Sequence, residues 1–163
     1  MPDQDGSECP VTEIADFLRA RIVERRTLAE AATEKAGSGD WRYESGADYV
    51  SAVQTFPDEA PARREHWTPL VTEAGSYVGD MLDDEIGQYI AANDPAAAIA
   101  DCDAKLRMLD DADDFCQEYD NDLTELDDNS AAQRAYCWRD SIHRNLAAAF
   151  TGHPDHKGEE WAP

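Results

Sequence analysis

Apolar side chains return every three to four residues along the first helical stretch: Ile14, Leu18, Ile22, Ala29 and Ala32 share one face, and Gly37-Ser38-Gly39 ends the run. Thr12 is a suitable N-cap, and Glu13 and Asp16 in the first turn complement the helix dipole, so the spacing predicts a helix over 13–36. The helical period stops at Asp40. Trp41-Arg42-Tyr43, Tyr49 to Phe56, His66 to Thr72 and Tyr77-Val78 are instead rich in residues that favour strands. Turn signals at Ser45-Gly46, Pro57-Asp58, Pro61 and Gly75-Ser76 separate them. They predict a small antiparallel sheet of three or four strands. Pro69, with no N–H to give a ladder, fits there only at an edge or a bulge, and Trp41 and Trp67 are expected to cover the sheet against the helices.

Helical spacing resumes after Asp83 or Asp84, either of which can cap a short helix with Ile86, Tyr89 and Ile90 expected inward. Asn93-Asp94-Pro95 is a stop followed by a new N-cap, with proline at the first helical position. The next apolar stripe is Ile99, Cys102, Leu106 and Leu109; beyond it Phe115, Tyr119, Leu123 and Leu126 continue on a shifted one. That shift, with the poor helix formers of Asp110-Asp111-Ala112-Asp113-Asp114 between the two, predicts a bend or break near residue 112. Ser130-Ala131-Ala132-Gln133 matches a capping box and opens a last helix, 131–150, with Trp138, Ile142, Leu146, Ala149 and Phe150 inward and Gly152 after it. The tail from His153 carries Trp161, a residue it can dock with.

Together these elements predict one α+β domain over 1–163: a small antiparallel sheet of three or four strands packed with an N-terminal helix and three or more C-terminal helices. Its parts are a flexible N-terminus (1–11), a helix (12–37), the sheet (40–80), acidic helices (82–128), a helix (130–152) and a docking tail (153–163). A chain of 163 residues supports one real core but not two. Because 26 of its apolar residues are alanine, large core side chains are scarce.

Charge changes this picture most. The chain holds 36 acidic against 14 basic side chains, a formal net charge of -22, which opposes the counterion-release attraction that drives binding to nucleic acid phosphates. Direct nucleic-acid binding is therefore not expected. The excess is local: residues 80–128 hold 17 acids and two basic side chains, net -15, while 11–36 and 129–163 are each neutral. An internal docking site for part of that acidity is the simplest use of Arg19, Arg21, Arg25 and Arg26 on the first helix. The remainder, Asp101, Asp103, Asp110, Asp111, Asp113, Asp114, Glu118, Asp120 and Asp122, is a candidate surface for a basic protein partner, nucleic-acid-binding proteins included. Fully helical, residues 80–128 would span about 73 Å with roughly one acid per 4 Å, a spacing compatible with mimicry of a DNA strand and equally with a merely solvated face. No apolar run approaches the roughly 20 residues of a membrane span, and the opening Met1-Pro2-Asp3-Gln4-Asp5 is acidic where a secretory signal is basic, so a cytoplasmic protein is expected.

Two pieces carry a family resemblance. Ala91-Ala92-Asn93-Asp94-Pro95 followed by Asp103-Ala104-Lys105-Leu106-Arg107-Met108-Leu109, and His153-Pro154-Asp155 with Glu159-Glu160-Trp161, resemble an uncharacterised domain-of-unknown-function family of high-GC Gram-positive bacteria and their phages. The opening Ile14-Ala15-Asp16-Phe17-Leu18-Arg19-Ala20-Arg21 is similar as well. This chain departs from the family pattern in Asp103 for a glutamate, in His156 where an aromatic residue is commoner, and in the acidity of 110–128. The resemblance implies a bacterial or phage cytosolic setting and no catalytic residues.

The remaining chemistry is sparse. Cys9, Cys102, Cys116 and Cys137 with His66, His143, His153 and His156 supply zinc-binding types but no Cys-x-x-Cys spacing, and a site would need Cys116, Cys137 and His153 or His156 to converge through tertiary contact. Cysteine buried as a small apolar residue is the simpler expectation. The aspartate run lacks the glycine and terminal glutamate of a calcium loop. Pro57-Asp58 with Asp103-Ala104-Lys105 only superficially fits a nuclease pattern, and no nucleophile elbow, zincin or phosphate-loop motif is present. A non-enzymatic binding or accessory protein without a cofactor is the expected function. A helix-mediated assembly module and a metal-binding protein or enzyme are the alternatives.

Overall fold

The computed structural model describes residues 10–44, 49–59, 64–72, 84–122 and 129–163. The fold is α+β, with an N-terminal helix, a three-stranded antiparallel sheet and three further helices in that order along the chain. The chain divides into two compact units, one formed by the described parts of Met1–Val23 and Asp103–Pro163, the other by Glu24–Cys102. Helices α1 (Pro10–Ala36) and α3 (Pro95–Asp122) each contribute residues to both. Helix α1 opens at Pro10, a residue whose fixed φ suits the first helical position, three residues ahead of the start expected from Thr12.

In the Glu24–Cys102 unit, strands β1 (Trp41–Tyr43), β2 (Tyr49–Thr55) and β3 (Glu65–Thr72) form a meander in the order β1-β2-β3. A register irregularity between Val50 and Ser51 sets Val50 opposite Val71 but Ser51 opposite Pro69, so the proline sits at a bulge on the outer strand, where it takes no inner-ladder hydrogen bond. Four successive β2 residues, Val50, Ser51, Ala52 and Val53, are buried, which requires cover on both faces. Helix α2 (Asp84–Ala92) lies over Tyr43 on one of them: a Cβ built on Gly87 would come within 2.5 Å of the Tyr43 ring. The close approach needs glycine, and it turns α2 so that Ile86 and Tyr89 point outward, 54% and 70% exposed, rather than inward as the hydrophobic pattern predicts. Tyr43 also donates its hydroxyl to Asp84 at 2.6 Å.

The junction of α2 and α3 follows its sequence signal. Asp94 Oδ1 accepts from the Ala97 backbone N–H at 2.6 Å, capping α3, while Oδ2 accepts from the Trp41 N–H at 3.2 Å and ties the cap to β1. Trp41 donates its indole N–H to the Ser38 carbonyl. Trp67 lies beneath the Arg42 guanidinium, 5.8 Å from ring centroid to the cation. The possible fourth strand at Tyr77-Val78 and the cap at Asp83 lie outside the described residues.

The other unit is built on α1, α3 and α4 (Asn129–Ala147). Among the described residues, Ile14, Ala15, Phe17, Leu18 and Ile22 from α1, Leu109, Ala112 and Cys116 from α3, and Ala135, His143 and Ala147 from α4 are its buried residues, with Trp161 from the tail. Helix α3 is continuous through residue 112, with no break at the aspartate cluster. The reason is periodic. Cys102, Leu109 and Cys116 recur every seven residues with Ala112 between them, one unshifted stripe, and the aspartates around Ala112 fall off it. Phe115, one residue or about 100° before Cys116, therefore faces out, as does Trp138 on α4, and neither belongs to the core where their hydrophobicity had placed them. Tyr119, Leu123 and Leu126 have no described side chains. Helix α4 ends at Ala147 and tightens into a 3-10 turn over Ala148–Phe150, short of Gly152.

Candidate functional site

Alternate aspartates of α3 have different environments. On the inner side Arg19 of α1 donates Nη1 to Asp110 Oδ1 at 2.8 Å and Nη2 to Asp113 Oδ2 at 2.9 Å, and Arg139 of α4 stands 3.6 Å from the other Asp113 oxygen. One guanidinium thus holds two carboxylates i, i+3 on a neighbouring helix. Within the other unit Arg25 reaches Asp101 at 3.8 Å. Arg26 pairs with Glu30 along its own helix, and Arg21 stands 2.5 Å from His153 Nε2. Of the four α1 arginines expected to dock the acidic region, Arg19 and Arg25 reach α3 acids, whereas Arg26 pairs within α1 and Arg21 lies beside His153.

On the outer side Asp111, Asp114 and Glu118 are exposed. With Phe115 they occupy positions i, i+3, i+4 and i+7, one face of the helix. Phe115, 38% exposed, packs edge-to-face on Trp138, 49% exposed, with ring centroids 5.4 Å apart, and Met108 one turn before Asp111 is 45% exposed. Two aromatic rings and a methionine therefore stand in the open among three carboxylates. Asp103 is half-buried, and the side chains of Asp120 and Asp122 lie outside the described residues. Of the nine sequence-selected acids, Asp101, Asp110 and Asp113 pair with arginine, Asp110 remaining 63% exposed, while Asp111, Asp114 and Glu118 are exposed. Sequence reasoning missed Phe115 and Trp138 as surface residues, although the seven-residue recurrence of Cys102, Leu109 and Cys116 would have turned Phe115 outward.

The tail motif packs as an aromatic cluster on Phe17. Trp161, 4% exposed, lies 4.9 Å from Phe17, whose ring also meets Phe150, His153 and His156 at 6.1, 5.5 and 6.0 Å. Lys157 pairs with Glu13, which raises the lysine pKa, and Arg144 donates to the carbonyls of Glu160 and Ala162 at 2.6 and 3.2 Å. His156 Nδ1 accepts from the Gly158 N–H at 2.9 Å. A cleft of about 320 Å³ opens beside His156 and Trp161.

Cys102 and Cys116 are buried in the α3 stripe and Cys137 is exposed on α4. Among the described residues no three histidine, cysteine, aspartate or glutamate side chains gather to hold a metal ion. His143 is fully buried with neither ring nitrogen hydrogen-bonded, and burial pushes its pKa below the ordinary value, against the pull of Asp113.

Fold and site together define a small, strongly acidic α+β protein whose acidity is divided between internal arginine pairs and an open face bearing aromatic side chains. The chain belongs to the family of unknown function DUF6221, whose model matches residues 11–163. No curated protein and no solved structure matches it. Among the described residues no helix is long and apolar enough to cross a membrane.

Proposed function

We propose that this chain is a non-enzymatic binding protein of the bacterial or phage cytoplasm whose outer α3 face engages a basic protein partner, one that itself binds nucleic acid being the natural class. The observation that carries the reading is the Phe115–Trp138 pair standing exposed among Asp111, Asp114 and Glu118. Large exposed aromatic residues are enriched as interface anchors, and unspent carboxylates around them supply steering and a charged rim. A partner with basic side chains around an apolar anchor is complementary to both. Helix-mediated self-association is the alternative; through this particular face it would set these carboxylates against their own copies.

The test is capture from host lysate over a salt series by the natural chain, by Asp111→Asn/Asp114→Asn/Glu118→Gln, and by Phe115→Ser/Trp138→Ser. One basic protein retained at low salt by the natural chain, and lost by both variants, is the expected result. Recovery of no basic protein at low salt, or equal recovery by all three chains, removes the proposal. Native mass measurement of the free chain decides the assembly reading.

A further inference from the structure

A second site stands on the sheet, independent of the α3 face. The period of two in strands places Arg42 and Glu44, Tyr49 and Ser51, and Trp67 on one face, where they line a cavity of about 280 Å³. That volume suits a ligand the size of one side chain. Three of the five Arg42 N–H groups are committed: Nε and Nη2 to the two oxygens of Asp40 at 3.2 and 2.7 Å, and Nη1 to Glu65 at 3.0 Å. Those bonds hold the guanidinium over the Trp67 ring and raise its pKa, Asp40 contributing most. Trp67 is fixed in turn, its indole N–H donating to the other Glu65 oxygen at 3.3 Å. The cavity wall is therefore rigid, and two carboxylates already answer its single cation.

Two features remain unexplained by packing. Ser51 is 1% exposed, yet its hydroxyl has no hydrogen-bond partner, a costly arrangement for a buried polar atom. Glu44 lines the same cavity, exposed, so with Asp40 and Glu65 the local charge is negative even after Arg42 is counted. An anion would meet net repulsion. A cation with N–H donors would satisfy Ser51, pair with Glu44 and lie against the Tyr49 and Trp67 rings. We propose that the cavity lined by Glu44, Tyr49, Ser51 and Trp67 binds a primary alkylammonium group, supplied either by a free amine or by a lysine side chain.

Titration of the full chain with n-butylammonium chloride at constant ionic strength, followed on the Trp67 indole N–H resonance, tests the site. Saturable binding is expected, with sodium butyrate giving no saturable shift. Glu44→Gln and Ser51→Ala should each weaken binding about tenfold, one charge pair or one charged hydrogen bond. Ser51→Ala should at the same time leave the melting temperature unchanged or raised, because it removes an unpaired buried hydroxyl; a purely structural serine would not couple that result to lost amine binding. A blocked Gly-Lys-Gly peptide that binds more tightly than butylammonium assigns the site to a protein lysine, and the reverse order to a free amine. Absence of a saturable shift, equal binding of butyrate, or unchanged affinity in both variants overturns the proposal.

Discussion

The two sides of α3 carry the same residue type within one helical turn and use it in opposite ways. Asp110 and Asp113 lie against Arg19, and Asp113 against Arg139 as well, so their charge is answered within the protein. Asp111 and Asp114 stand exposed beside Phe115 and its partner ring Trp138. Pairing, more than exposure, distinguishes these acids: Asp110 is itself 63% exposed and lies i, i+4 from Asp114, but Arg19 holds it. Local net charge cannot make that distinction, because a count of acids is blind to which face each one takes. An internal arginine set is what divides them.

That comparison predicts stability effects that fall steeply from the inner side to the outer. Leu109→Ala, in the middle of the buried stripe, should cost about 2–5 kcal/mol in denaturant unfolding, through lost burial and the cavity left behind. Acid should act on the inner side next, through His143. Burial lowers its pKa in the folded chain, so between the folded value and the unfolded one, about 6.5, the unfolded state binds more protons. This contribution to stability is complete above about pH 6.5 and is lost as the pH falls below it. A pH series of unfolding midpoints on the natural chain and on His143→Phe checks the sign: the variant should show a flatter profile just below neutrality, and a steeper one would contradict the assignment.

Arg19→Ala should cost on the order of 1 kcal/mol, since its partners are half-exposed and solvent screens them, but it releases two carboxylates at once. Asp110→Asn in that background should then cost almost nothing more, a coupling read from a double-mutant cycle. Smallest of all, Asp111→Asn/Asp114→Asn/Glu118→Gln should change stability by less than about 0.5 kcal/mol, or stabilise slightly by relieving repulsion. A large loss there would mean that the outer acids are structural too and would erase the difference between the faces.

Much of the fold was legible from periodicity and turn chemistry, while several side-chain orientations were not. The Asp94-Pro95 junction, the meander and the bulge at Pro69 follow from rules that act within a few residues, and each is where those rules put it. The differences share a cause: large apolar residues dominate the hydrophobic pattern at positions where Gly87, Ala112 and Cys116 face inward. Gly87 outranks Ile86 and Tyr89 because contact with the Tyr43 ring leaves no room for a Cβ. Ala112 and Cys116, not Phe115, continue the buried stripe of Cys102 and Leu109, and α3 runs through them without a break. The division of the acids depends on Arg19, some ninety residues away in the chain, so no local window contains it. Likewise the orphan hydroxyl of Ser51 becomes visible only once three strands are in register.

The most direct measurement of the central claim is salt-dependent retention of a captured basic partner by two chains of equal charge, the natural one and Phe115→Ser/Trp138→Ser. The account predicts that the natural chain holds the partner to distinctly higher salt, because apolar anchoring survives screening that removes the carboxylate contribution. Elution of both chains' partner at the same salt would contradict it, reducing the outer face to charge alone.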